Sequence, residues 1–204
     1  MPRNERAGLA TAKRLLSSTL ILSTAAGCSL KVPLVYRPTS SIDVNRFSGQ
    51  LVLSDDLRLY VEPVMDGREQ RSAIGENVER WEIPIYAEGM SPPDFVRQVL
   101  LKQFEEIGLN IVSDPGQANR ILWVRLVKFW TRETDVYSAE VRVLVAFRDA
   151  GGDPSSHLLF AGTAKRFGPS LWKPDYQKVF SDATTNLVEN LLSNRAFQDG
   201  LMLE

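Results

Sequence analysis

The sequence predicts an α+β domain: a single, mostly antiparallel β-sheet of about four to six strands with two main helices packed on it. Two long runs rich in Val, Ile, Leu, Trp and Phe, at 120–132 and 136–148, are separated by only a few polar residues, the pattern of an antiparallel pair. An apolar stripe at helical spacing, Phe95, Val99, Leu100, Phe104 and Ile107, precedes that pair. A second stripe, Tyr176, Val179, Phe180, Ala183, Leu187, Val188, Leu191 and Leu192, follows it.

Leu57, Leu59 and Val61 alternate with Arg58, Tyr60 and Glu62, which predicts a half-buried strand that Pro63 ends or confines to an edge. A polar stretch, 66–80, leads to a second extended segment at 81–86. Ser91-Pro92-Pro93-Asp94 starts a helix, with a serine cap, prolines where no amide donor is needed and an acidic residue three places after the cap. Gly108 stops that helix, because it tolerates the left-handed conformation after the last turn. A short strand at 109–112 and an Asp114-Pro115-Gly116 turn come next.

With the following hairpin centred near Asp135, one expected core face carries Ile121, Trp123, Val127 and Phe129 together with Val141, Val143, Val145 and Phe147. The opposite face carries Leu122, Val124, Leu126 and Leu144 near one end, and Lys128, Trp130, Glu140 and Arg142 toward the other. A glycine-containing turn at 150–154 leads into a last strand at 157–167, and the second helix runs from about 174 to 194.

Composition bounds the function classes. With 204 residues, 44% of them hydrophobic, and a formal net charge of -1, the chain lacks the basic footprint of nucleic-acid binding and the acidic bias of a disordered tail. The N-terminus has the three parts of an export signal. Arg3, Arg6, Lys13 and Arg14 are the positive flank, 15–22 is the apolar stretch, and Ala25-Ala26-Gly27 are the small residues before a cut. The apolar stretch falls short of the ~20 residues that span a bilayer.

Cys28, the only cysteine, follows directly and is read as the lipidation site of a bacterial lipoprotein. Ala25-x-Gly27 also suits an ordinary signal peptidase, which would cut the same bond and release a soluble chain. The expected organisation is a signal peptide at 1–27, a lipid-anchored tether at 28–46 and one globular domain at 47–204. Pro33, Pro38, Thr39, Ser40 and Ser41 give the tether its character, with an edge strand at 32–36 as the alternative. Fully extended, such a tether would reach on the order of 50 to 60 Å at ~3.3 Å per residue. Ser29, rather than Asp, after the cysteine points to the outer membrane, with the domain facing the periplasm.

The order strand, helix, four strands, helix behind a lipoprotein signal resembles the YajG-like family of uncharacterised bacterial lipoproteins. The residues that carry the resemblance are Asp66-Gly67-Arg68, Ile74-Gly75 and the helix end Glu105-Glu106-Ile107-Gly108-Leu109. The layout is also similar to auxiliary lipoproteins of lipid-trafficking ABC transport systems. Neither resemblance implies a catalytic residue. Asp66 and Arg68 are read as a turn with an exposed ion pair.

Enzyme chemistry finds little support in the residues. His157 is the sole histidine, so with Cys28 acylated no Cys/His metal cluster remains and no metal or other cofactor is expected. His157 beside Ser155 and Ser156 does not by itself supply the convergence of a catalytic triad. Asp149 and Asp153 around Gly151-Gly152 read as a hairpin turn, since the other oxygen ligands of a calcium loop are missing. Trp81, Tyr86, Trp130 and Trp172 lie outside the core stripes and are the candidate interaction surface, because amphipathic aromatics concentrate at protein and membrane interfaces.

The expected function is therefore that of a non-catalytic envelope lipoprotein, an interaction or accessory module for an envelope protein assembly with a link to lipid or transport. It would be held to the membrane by its anchor, partner another envelope protein and bind no nucleic acid, with homo-oligomerisation left open. The alternative is a carrier holding a lipid or other apolar ligand between helices and sheet.

Overall fold

The computed structural model describes residues 29–43, 56–148 and 157–202. In chain order the strands are β1 (Leu30–Pro33), β2 (Leu59–Val61), β3 (Met65–Asp66), β4 (Gly75–Asn77), β5 (Ile83–Glu88), β6 (Arg120–Glu133), β7 (Tyr137–Arg148) and β8 (Leu158–Arg166). The helices are α1 (Pro92–Glu106), α2 (Lys173–Ser193) and α3 (Arg195–Leu201), with one 3-10 turn at Pro115–Gln117.

Strand β6 organises the sheet. Its one edge pairs antiparallel with β7 from Ile121↔Arg148 to Glu133↔Tyr137, so the hairpin turn sits at 134–136, as the sequence indicates. Its other edge is taken in succession by three short parallel segments: β2 on 120–122, β3 on 125–126 and β4 on 131–133. The path continues β1-β5-β4-β6-β7-β8, with β1 parallel and β4 antiparallel to β5. Among the described residues this is one mixed sheet of eight strands with three α-helices.

That architecture corrects the expectation of a mostly antiparallel sheet of four to six strands with two main helices. The physical reason is the exposed edge of β6, whose unpaired N–H and C=O groups recruit segments without strand-like sequence, Gly75-Glu76-Asn77 among them.

All three helices lie on one face, as their rings show. Phe95 of α1 meets Phe129 edge-on at 5.8 Å, and Phe180 of α2 stacks on Phe129 at 4.2 Å. Phe197 of α3 packs on Phe147 at 5.0 Å. Ser91 caps α1 by accepting from the Asp94 amide, and Gly108 takes φ +90 just past its end, as expected from the sequence.

The core face is Leu122, Val124, Leu126 and Phe129 of β6 opposite Phe147, Val145, Val143 and Val141 of β7, all buried. Phe129 and the β7 residues were expected there, whereas Ile121, Trp123 and Val127 project to the other face. A β-bulge causes the difference. The register shifts between Leu126 and Lys128, so Val127 is an extra residue and the inside-outside alternation changes phase.

The segment read as a tether packs on the domain over its described part, 29–43. β1 pairs with β5 from Leu30↔Ile85 to Pro33↔Glu88, close to the edge strand that the sequence left as the alternative. Beyond it, the Tyr36 hydroxyl hydrogen-bonds the Thr185 hydroxyl at 2.8 Å, and the Thr39 amide donates to Asp182 at 2.6 Å. Val32, Leu34 and Ile42 join the core.

Helix α2 can approach β8 so closely because of Gly162. A Cβ there would lie 2.1 Å from the Ala183 carbonyl oxygen and 2.3 Å from the Leu187 nitrogen, both backbone atoms of the helix. Gly162→Ala should therefore lower unfolding free energy by about 1–3 kcal/mol, as overpacking in a filled core does. Chemical denaturation of the two proteins measures it, and an unchanged midpoint would show that the helix can shift away.

Candidate functional site

The face of the sheet turned away from the helices carries the most distinctive surface. Across β6, β7 and β8 it presents Arg125, Val127, Arg132, Arg142, Leu159, Thr163 and Lys165, all exposed, with Trp123, Lys128, Trp130 and Glu140 half-buried among them. No described helix covers it.

The bulge shapes this face. In an unbroken strand Lys128 would share the phase of Leu126 and point into the core. The extra residue at Val127 turns Lys128 outward, Phe129 inward and Trp130 outward again. The loop that follows β3 rises beside the bulge. Together Gly67, Arg68, Glu69, Gln70, Val127, Lys128, Phe129, Trp130 and Arg142 line a cleft of about 470 Å³.

The cleft wall is held by Arg68, which is 5% exposed. Its Nε and Nη2 donate to the two oxygens of Asp66 at 2.9 Å each, and Nη2 also donates to the Arg71 carbonyl at 3.1 Å. The turn and ion pair read from the sequence are present, but the guanidinium is buried rather than exposed. Its hydrogen bonds hold the Asp66 carboxyl below the usual carboxylate range.

Next to the cleft, Glu140 receives two of its lining residues, Lys128 Nζ at 2.5 Å and Arg142 Nε. Burial pushes the Glu140 carboxyl up, but the two cations outweigh it and hold the group below its ordinary value. Two cations on one carboxylate leave a polar strip with a net positive charge beside the indole of Trp130. Such a surface suits contact with another protein, where a rigid aromatic anchor sits among groups that can hydrogen-bond.

The four aromatics singled out from the sequence fall into two pairs. Trp130 and Tyr86 are both half-buried on the face away from the helices, Trp130 opposite Glu140 and Tyr86 opposite Lys31. Trp81 and Trp172 lie instead at the end of the sheet that carries the β6–β7 hairpin, 96% and 54% exposed. Phe167, 81% exposed just after β8, belongs with that second pair and was missed, because the sequence places it inside the last strand.

Beneath this end lies a buried polar cluster. Glu133, 1% exposed at the end of β6, accepts from the Tyr176 hydroxyl and, at 3.0 Å, from the Leu171 amide. The Tyr137 hydroxyl donates to the Pro169 carbonyl and accepts from the Trp172 amide at 3.0 Å. Arg166 Nε reaches Asp175 at 2.6 Å, and Asn77 donates to the Ser170 hydroxyl at 3.2 Å. Leu171 is held at φ +59 and Trp81 at φ +56, left-handed values uncommon for such side chains. These bonds fix the loop between β8 and α2, and with it the positions of Phe167 and Trp172.

His157 is exposed, its ring edge-on to Trp123 at 5.1 Å. Ser155, Ser156 and the glycine-containing turn at 150–154 lie outside the described residues, as does Cys28. Among the described residues no group of three or more His, Cys, Asp or Glu side chains is placed to hold a metal ion. No described helix is long and apolar enough to cross a membrane.

No family model matches the sequence, and no curated protein matches it. Several solved structures are similar to this chain. Protein XCC0632 of Xanthomonas campestris, of the family DUF330, matches at a TM-score of 0.54 and 11% identity, over 80% of this chain and 93% of that one. A candidate lipoprotein of Caulobacter crescentus matches at 0.43 and 12% identity, over 63% and 90%. The PelC dodecamer of Paraburkholderia phytofirmans matches at 0.41 and 12%, over 70% and 92%. At these identities the likeness to XCC0632 is one of fold, and the resemblance to YajG-like proteins rests on the sequence motifs alone.

The buried cluster has a pH signature. Burial, with Glu133 and Asp175 nearby, pushes the Tyr137 phenol up to about 12 from 10.0, and Tyr176 is raised as well. A raised tyrosine contributes stability that is complete below its unfolded value near 10 and is lost as pH climbs through its folded value. Denaturation midpoints should accordingly fall between about pH 10 and 12. Tyr137→Phe should cost roughly 1–3 kcal/mol at neutral pH, through the donors and acceptors it leaves unpaired, and make that alkaline fall shallower. An equally steep fall in the variant would remove Tyr137 as its source.

Proposed function

We propose that this chain is a non-catalytic, lipid-anchored protein of the bacterial cell envelope that holds another envelope protein against the open face of its sheet. The observation that carries the binding part is the bulge at Val127, which turns Lys128 and Trp130 outward and opens a cleft beside the ordered Asp66–Arg68 loop. A bulge, a glycine-containing loop and a buried arginine spent on one surface feature favour a shaped contact over an incidental groove. The export signal and Cys28 supply the anchor, and Ser29 after it favours the outer membrane with the domain toward the periplasm.

The carrier reading needs an apolar cavity of about 300 Å³ or more between helices and sheet. Phe95, Phe129 and Phe180 fill the middle of that space with contacting rings, and the cleft lies on the other side of the sheet. Partner binding is therefore the better reading.

Deleting Val127 separates the cleft from the fold. The deletion removes the bulge yet leaves Leu126 and Phe129 on the core face, because the extra residue is what broke the alternation. The deleted chain should fold, with an unchanged circular dichroism spectrum. A photo-crosslinking residue at Trp130 in cells should trap one envelope protein, and the trap should disappear on the deletion. Trp130→Ala should weaken the complex by about tenfold or more, the loss typical of a central aromatic anchor. Cys28 should carry acyl groups by mass spectrometry of the mature N-terminus, and an unmodified cysteine would remove the anchor from this function.

A further inference from the structure

The register of β1 fixes how the domain must sit if Cys28 is its anchor. Leu30 is already paired with Ile85 in the sheet, so only Ser29 separates the anchored residue from fixed structure. Two residues span at most ~7 Å. A domain on a free tether could hang far from the bilayer, but a domain whose edge strand begins at Leu30 is held against it.

The end that is held follows from the pairing. Ile83↔Asn77, Asn77↔Glu133, Glu133↔Tyr137 and Tyr137↔Arg166 form one row across the sheet. Leu30 lies two positions inside that row, on the outer strand, with the preceding residues running toward it. The chain therefore leaves the sheet toward the β6–β7 hairpin end. Six strands at ~4.8 Å place the whole row within about 25 Å of the anchor.

Three large exposed side chains stand at that same end. Trp81 is 96% exposed in the turn before β5, Phe167 is 81% exposed after β8, and Trp172 is 54% exposed at the start of α2. None is idle loop decoration. Trp81 and Leu171 are held at positive φ, the Trp172 amide is tied to Tyr137, and the loop that carries Phe167 and Trp172 is pinned to Glu133. Glu79, Arg80, Glu82, Asp135 and Lys173 surround them with both signs of charge, so attraction to anionic lipid is not the organising force. Two amphipathic indoles and an apolar phenyl ring turned outward among charges of both signs suit the headgroup level of a bilayer.

We propose that Trp81, Phe167 and Trp172 form a membrane-docking end that inserts at the lipid headgroup boundary of the bilayer to which Cys28 is anchored, setting the orientation of the sheet. The open face with Trp130 then stands at a steep angle to the membrane, accessible to a neighbouring protein. This inference rests on the anchor assigned above.

Because Cys28 is the only cysteine, the purified chain can be coupled through it to maleimide-bearing phosphatidylethanolamine in vesicles of phosphatidylethanolamine and phosphatidylglycerol. This fixes the tether whether or not cells acylate it. In single-tryptophan variants, brominated lipids should quench Trp81 and Trp172 several-fold more than Trp123 or Trp130. The Trp81→Ser/Phe167→Ser/Trp172→Ser variant, changed only at exposed positions, should keep its circular dichroism spectrum, and lipid quenching of its remaining tryptophans should rise toward that of a randomly oriented domain. Equal quenching of all four tryptophans in the parent set, or none, would overturn the docking end. An unacylated Cys28 in cells would instead remove the anchor while the coupled vesicles still decided the orientation.

Discussion

The pairing of β6 along both edges is the constraint on which the rest of the structure depends. β7 takes one side over nearly its whole length, and β2, β3 and β4 divide the other. A buried strand cannot leave backbone donors and acceptors unmatched, so β3 and β4 are drawn into the sheet by what β6 lacks rather than by their own sequence, whereas β2 brings its own alternation. The crossover through β5 and α1 places α1 on the face that α2 covers after β8, and Phe129 becomes the ring on which Phe95 and Phe180 converge.

A single residue inserted in that strand decides which side chains face the core and which face the open side of the sheet. Had β6 run without a bulge, Lys128 would have been buried and Phe129 exposed, at the cost of both a desolvated ammonium and a lost aromatic core. The bulge at Val127 resolves the conflict, and the same distortion opens the cleft under the Asp66–Arg68 loop. The packing of the core and the shape of the open face are thus two consequences of one irregularity.

The N-terminal segment shows a similar coupling between fold and location. Residues rich in proline and serine have the composition of a linker, yet Val32, Leu34 and Ile42 bury themselves, and Tyr36 and Thr39 bond to α2. Over residues 29–43 the extended reach of a linker gives way to packing on the domain. Under the proposed anchoring at Cys28, the aromatics at the hairpin end would hold a fixed relation to the attachment point.

The sequence by itself determined the two amphipathic helices, the start at Ser91 and stop at Gly108 of the first, and the β6–β7 hairpin with its turn at Asp135. These are local signals: periodicity, capping and turn chemistry act within a few residues. It also singled out Trp81, Tyr86, Trp130 and Trp172, but not that they divide between a sheet face and a sheet end. The parallel strands, the phase of β6 and the burial of Arg68 were decided only by tertiary structure. Gly75-Glu76-Asn77 has no strand propensity, and one extra residue reverses a two-residue period without leaving a mark in composition. Both outcomes depend on partners far away along the chain, and a local pattern cannot name them.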